Sequence, residues 1–328
     1  MIRKTIRYID LFSGIGGFRE GLSRAGGFAC VGHCEIDKYA DRSYRALFDT
    51  KGEWFCEDIR KADPSDLPDF DLLCGGFPCQ SFSIAGNRGG FDDPRGTLFF
   101  EIARLTAAKR PAYLLLENVP GLLNHDGGRT FAAILHTLDG LGYFVEWQVL
   151  NSKDFGVPQS RKRVYLIGYL DKRCRGKIFP FTETAGTSLQ QIRPGAQGER
   201  VYSPEGISCT LAAQAGGFGG KNGLYCIDMN EDPELTEYAR CLTAKQSSGI
   251  HRHKREASGV WDGCRIRRLT PRECLRLQGW TDERINKVLP LQSDAQLYKQ
   301  AGNGVTVTVV EAIGKRLAAA HREVNAID

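Results

Sequence analysis

Cys79 is the residue in this chain whose setting most suggests chemistry. It follows the apolar run Asp71-Leu72-Leu73-Cys74 and the breakers Gly75-Gly76-Phe77-Pro78. The run reads as a buried strand and the breakers as the turn that ends it. Open α/β sheets place their ligands at such carboxyl ends. A nucleophilic cysteine needs this kind of place, partly exposed and beside groups that stabilise a thiolate. A buried thiol in an ordinary turn fits the same residues.

Other candidate groups stand at comparable positions. Glu117 ends the apolar strand Tyr113-Leu114-Leu115-Leu116, where partial desolvation raises a carboxyl pKa toward proton-transfer duty. Arg161 and Arg163 lead into the strand Val164 to Tyr169, and their two-residue spacing predicts one shared face. A short connection without helical pattern favours an antiparallel return of that strand, which brings both arginines to the end where Cys79 and Glu117 lie. Glu35 stands at the tip of a strand formed by Cys30 to Cys34, where an acid can accept from ribose hydroxyls. Asp58-Ile59 close a third strand and can meet an adenine amino group.

The elements that position these groups follow a βα rhythm. The strand Arg7 to Phe12 runs into Ser13-Gly14-Ile15-Gly16-Gly17-Phe18 and a helix from Arg19 to Ala25. Strand, glycine loop and helix bring a nucleotide-like ligand against backbone amides. The dinucleotide fingerprint is absent, because its third glycine falls on Arg19, and a NAD-dependent oxidoreductase is disfavoured. Further helices are expected at Lys38–Phe48, Leu98–Lys109, around Phe131–Leu141, at Arg272–Leu277 and at Val305–His321.

With 328 residues, 41% hydrophobic and 25% charged, the chain has the composition of a soluble globular protein of about two domains. Its apolar runs stop well short of the roughly 20 residues that span a bilayer, and no signal-peptide core is visible. A cytoplasmic protein with no membrane partner is expected. Eleven cysteines are scattered without a Cys-x-x-Cys pair. Cys30, His33 and Cys34 lack a second ligand pair, so reduced thiols and no metal are expected. The net charge of +5 is unevenly placed: ten Lys/Arg against three Asp/Glu from Arg240 to Arg276, and eight against two from Lys153 to Lys177. Such stretches suit a polyanion partner or a solvated basic face.

Taken together, the motifs resemble the cytosine-C5 DNA methyltransferase family. The matching pieces are Asp10 to Gly17, Gly76 to Ser83, Glu117-Asn118-Val119, Gln159 to Arg163, Arg268 to Glu273 and Gln300 to Val305. Their order and spacing agree over nearly all of the chain outside about 171–264. The resemblance implies a Rossmann-like S-adenosylmethionine-dependent methyltransferase fold: an α/β, mostly parallel sheet with one antiparallel strand, plus a smaller, irregular β-rich target-recognition domain. The implied division is residues 1–175 for catalysis and cofactor binding, 176–285 for target recognition, and 286–328 as a hinge and return segment. It further implies Cys79 as nucleophile toward C6 of a flipped cytosine, Glu117 at N3 and the 4-amino group, Arg163 at O2, and Arg161 in support. S-adenosylmethionine, leaving as S-adenosylhomocysteine, is expected against Phe12, Gly14, Gly16, Gly17, Phe18, Glu35, Ile36, Asp58, Ile59, Pro78 and Asn303. Many members carry Trp where this chain has Ile36, so adenine stacking is expected to be weaker or differently made.

Residues 171–264 lose the βα rhythm and carry glycines, short strands and basic residues. The candidate contacts to double-stranded DNA are Gln197, Arg200, Thr210, Thr243 and Lys254. Gln197 sits in a glycine-flanked loop suited to the gap left by the cytosine, and Arg200 suits a bidentate guanine contact. The expectation is a monomeric, nucleoid-associated DNA (cytosine-5-)-methyltransferase of a restriction-modification system. An RNA (tRNA) cytosine-5 methyltransferase and a catalytically inactive DNA-binding regulator are the alternatives.

Overall fold

The computed structural model describes residues 5–78, 98–181, 191–193, 201–202, 225–228, 235–236, 239, 241, 258–261 and 266–326. They divide into two compact units. Unit 1 comprises residues 1–150, 162–181 and 309–328, and unit 2 comprises residues 151–161 and 182–308.

A seven-stranded sheet organises unit 1. Its strands are β1 (Ile6–Leu11), β2 (Phe28–Cys34), β3 (Trp54–Cys56), β4 (Leu72–Gly76), β5 (Tyr113–Asn118), β6 (Phe144–Asn151) and β7 (Lys162–Tyr169), in the order β3-β2-β1-β4-β5-β7-β6. Strands β1 to β5 pair in parallel, and β7 runs antiparallel to β5. The strand order reverses between β1 and β4, which makes a topological switch point there. Crevices of such sheets open at the switch point, beyond the carboxyl ends of the strands.

The helices are α1 (Gly17–Ala25), α2 (Lys38–Leu47), α3 (Leu98–Lys109), α4 (Arg129–Gly140) and α8 (Val307–Asn325). One apolar cluster joins Ile9, Leu11, Leu73, Leu114, Leu116, Val164 and Leu166 to Phe99 and Ile102 of α3 and Ile134 and Leu138 of α4. The alternate strand residues Tyr8, Leu72, Cys74, Leu115 and Tyr165 are also buried. Both faces of the sheet are therefore covered, which is why its strands read as nearly continuous apolar runs. Helix α8 packs onto α1 through Gly314, where an added Cβ would lie 2.8 Å from Ala25 Cβ and 3.1 Å from Leu22.

Unit 2 carries a two-stranded sheet of β8 (Gln191–Arg193) and β9 (Val201–Tyr202). Its four-stranded antiparallel sheet has the order β11 (Leu235–Thr236), β10 (Tyr225–Asp228), β12 (Ser258–Trp261) and β13 (Ile266–Arg268). Helices α5 (Pro271–Leu277), α6 (Asp282–Val288) and α7 (Asp294–Asn303) follow. Thr270 and Glu273 close a capping box at the start of α5, which satisfies amides that the first turn leaves open. Buried Gln278 donates to the Ala301 carbonyl at 2.7 Å and accepts from Thr306 Oγ1 at 2.9 Å.

The contact division runs differently from the boundaries expected at 175 and 285. Residues 286–308 group with unit 2, and only 309–328 group with unit 1. No described helix is long and apolar enough to cross a membrane.

Candidate active site

The first edge of the site is the loop between β1 and α1. Phe12 and Gly14 have φ of 52° and 56°, and Gly16 has 90°. A non-glycine residue at positive φ stores strain, and such residues concentrate at functional sites. Gly16 caps α1, and an added Cβ there would collide with the rings of Phe48 and Tyr44, so glycine is required. At Gly14 an added Cβ would meet no atom of the described residues within 4 Å. Ser13 Oγ is buried and has no hydrogen-bond partner among the described residues.

Glu35 binds this loop to the next element. Its Oε2 accepts from the Gly14 amide and its Oε1 from the Asp37 amide, both at 2.7 Å. Burial raises the Glu35 carboxyl above its ordinary range, against the lowering effect of those two amides. Each oxygen keeps one lone pair for a ligand hydroxyl. Ile36 beside it is 61% exposed, an open apolar surface next to an acceptor. Asp58 instead pairs with Arg60, at 2.7 Å to Nη2 and 2.9 Å to Nε, which holds its carboxyl below the usual range. The Asp-x-Arg spacing was the sequence signal for that pairing. Phe18 and Ile59 are core side chains, 3% and 2% exposed. The Gly14 turn, the buried Ser13 hydroxyl and the acceptor Glu35 fit a nucleoside-bearing group.

Arg19, at the position that breaks the dinucleotide fingerprint, is buried. It donates to both Glu53 oxygens at 2.7 Å and to the Asp49 carbonyl at 2.8 Å. It therefore fastens the start of α1 to the chain entering β3. His33 pairs through Nε2 with Asp41 at 2.9 Å and stacks on Tyr44 at 4.2 Å. Among the described residues no group of three His, Cys, Asp or Glu is arranged to hold a metal.

The second edge is built by β4, β5 and β7. Register pairs Gly76 with Glu117 and Glu117 with Tyr165. Because β7 is antiparallel, its start lies at the carboxyl end of β5. There Arg163 Nε stands 3.1 Å from Glu117 Oε1, with both side chains nearly buried. The carboxylate thus has an ionic partner as well as partial burial. An added Cβ at Gly76 would lie 3.0 Å from Glu117 Oε2, so the glycine leaves that carboxylate its room.

Arg161 lies one residue before the start of β7 and groups with unit 2, and Arg163 lies within β7. Arg161 Nη2 donates to the carbonyls of Gly302 and Gly304 at 3.0 and 2.9 Å, on either side of Asn303. Asn303 is the last residue of α7 in the same unit. The chain from β4 is described as far as Pro78, which is exposed. Cys79, Gln197, Arg200, Thr210, Thr243 and Lys254 lie outside the described residues.

Asn118 lies within the motif Glu117-Asn118-Val119, and its residue type alone assigns it no role there. Its side chain is 2% exposed and spans from β5 to the Phe77 carbonyl at 2.8 Å. An amide directly after a strand-end acid, opposite a Phe-Pro step, was the available signal.

A glycine loop and strand-end acids at the switch point of a mostly parallel sheet define the class as an open α/β protein with a crevice at the carboxyl ends of its strands. The model of the C-5 cytosine-specific DNA methylase family matches residues 6–319, and the chain belongs to that family. It is 41% identical to the type II methyltransferase M1.ScrFI of Lactococcus lactis subsp. cremoris over 325 residues, covering 96% of this chain and 79% of that protein. It is 39% identical to the type II methyltransferase M.NlaX of Neisseria lactamica, covering 96% of each. The crystal structure of S. pombe Dnmt2 methyltransferase shares the fold, with a TM-score of 0.65 at 20% identity over 98% of this chain and 99% of that one.

Proposed function

We propose that this protein methylates C5 of cytosine in double-stranded DNA, using S-adenosylmethionine, through a covalent bond between Cys79 and C6. The contact between Glu117 and Arg163 at the end of β5, in register with the end of β4, carries this reading. Family membership and the glycine loop with Glu35 support it. Burial holds several of the described thiols in their protonated form, which disfavours them as nucleophiles. Burial pushes Cys30 up to about 11 and Cys274 up to about 12, and raises Cys34 and Cys74 further.

The chemistry answers a specific difficulty, since the 5,6 double bond of cytosine is a poor nucleophile. The Cys79 thiolate adds to C6, which turns C5 into an enamine-like carbon. Glu117 holds N3 and the 4-amino group and stabilises the protonated adduct, and Arg163 binds O2. S-adenosylmethionine supplies, when bound, an electrophilic sulfonium methyl group and leaves as S-adenosylhomocysteine. After methyl transfer the C5 proton departs as the C6–S bond breaks, which returns Cys79 as a thiolate. C6 of a stacked base is out of reach, so the cytosine is flipped out of the duplex. Gln197, Arg200, Thr210, Thr243 and Lys254 are assigned to the DNA, Arg161 to support of the catalytic site, and Asn303 to the cofactor. Relatives named as type II methyltransferases support a place in a restriction-modification system.

Incubation with S-adenosylmethionine and either duplex DNA or tRNA, followed by assay for 5-methylcytosine, tests the substrate. Methylated DNA is expected. Methylation of tRNA alone would overturn the reading in favour of an RNA enzyme, and DNA binding without any methylation in favour of an inactive regulator.

A further inference from the structure

Strand β4 ends where the regular ladder cannot continue. Its last registered pair with β5 is Gly76 with Glu117, and Pro78, two residues on, has no N–H to extend the pairing. A side chain takes over. Asn118 Nδ2 donates to the Phe77 carbonyl at 2.8 Å, and Asn118 Oδ1 accepts from the Val119 amide at 2.8 Å. The partners fix the orientation of the amide, because a carbonyl needs the donor end and an N–H needs the acceptor end. At 2% exposure, a lost bond here leaves a buried polar group without its partner.

We propose that Asn118 is a positioning residue for the nucleophile. Its amide clamps the Phe77 carbonyl and fixes the end of the described β4 segment, two residues before Cys79 in the chain and one residue beyond the register of Glu117. The same strand end thereby holds the carboxylate that grips the base and the start of the segment that attacks it. The proposal rests on the roles assigned above to Cys79 and Glu117. It requires the Nδ2 donor as such, and a merely space-filling side chain does not meet it.

The test uses the full chain carrying Asn118→Ala, Asn118→Asp or Cys79→Ala, with kcat, S-adenosylmethionine affinity and thermal unfolding measured for each. Displacing a reacting group by about 1 Å costs on the order of 10²-fold, so kcat of Asn118→Ala is expected to fall by roughly 10- to 100-fold. Its S-adenosylmethionine affinity should stay within about threefold of wild type. Asn118→Asp keeps volume and the acceptor for Val119 but lacks the donor until its carboxyl is protonated. Its kcat relative to wild type should therefore rise as pH falls, because the protonated acid regains an O–H toward the Phe77 carbonyl. This ratio decides the matter even where Asn118→Ala does not fold. A ratio flat with pH, or kcat and cofactor affinity lost in parallel with stability, would reduce Asn118 to a structural residue and overturn the proposal. Wild-type kcat in both Asn118 variants beside an inactive Cys79→Ala would overturn it alone, while an active Cys79→Ala would overturn the nucleophile assignment beneath it.

Discussion

Glu35 shows how one side chain is made ready for a ligand by its backbone. Its two oxygens take one amide each, from Gly14 and from Asp37, so the carboxylate is aimed before any ligand arrives. Burial raises its pKa, so as pH falls it loses its charge at a higher pH than a free glutamate does. In the proposed role of Glu35, an anionic acceptor for ribose hydroxyls is then lost in the same direction. S-adenosylmethionine affinity, measured by calorimetry, should weaken as pH is lowered from neutrality toward the carboxylate range. Glu35→Gln should bind more weakly at pH 7, and its affinity should vary less with pH. Affinity that falls equally with pH in both proteins would remove Glu35 from the ribose. The acid at a strand tip was legible in the sequence, because the glycine loop and strand lengths placed it. The pairing of Asp58 with Arg60 was signalled only by the Asp-x-Arg spacing, which a strand-end acid facing a ligand can share.

At the scale of elements, the antiparallel return of β7 matters most. A parallel β7 would carry Arg163 to the far end of the sheet, and the observed pairing puts it 3.1 Å from Glu117. The short connection before it already favoured this geometry. The bonds from Arg161 to the carbonyls of Gly302 and Gly304 were not foreseeable from alternation, because those partners lie far along the chain. Helix α8 was readable as a helix, but its partner was not. The contact at Gly314 makes it a cover for α1 at closer range than any larger residue allows. Gly314→Val should therefore destabilise unit 1 by about 1–3 kcal/mol through overpacking, seen as a lower midpoint in urea. An unchanged midpoint would mean that α8 shifts at no cost.

For the whole molecule, most of unit 1 was legible, because each βα step carries its own periodicity and its loops end in breakers. Unit 2 was legible only as a loss of that rhythm. Its four-stranded antiparallel sheet is made of strands two to four residues long, too short for alternation to register. The grouping of residues 286–308 with unit 2 goes with the packing of α6 and α7 against α5, which no local pattern reports. The assignment of chemistry nonetheless converges on one atom, the sulfur of Cys79. Duplex DNA carrying 5-fluorocytosine at the target lacks the departing C5 proton and should trap the adduct after methyl transfer. The direct measurement is peptide mapping by mass spectrometry after incubation with this DNA and S-adenosylmethionine. A methylated adduct on Cys79, absent in Cys79→Ser, is the predicted result. An adduct on another residue, or methylation of ordinary DNA by Cys79→Ser at the wild-type rate, would contradict it.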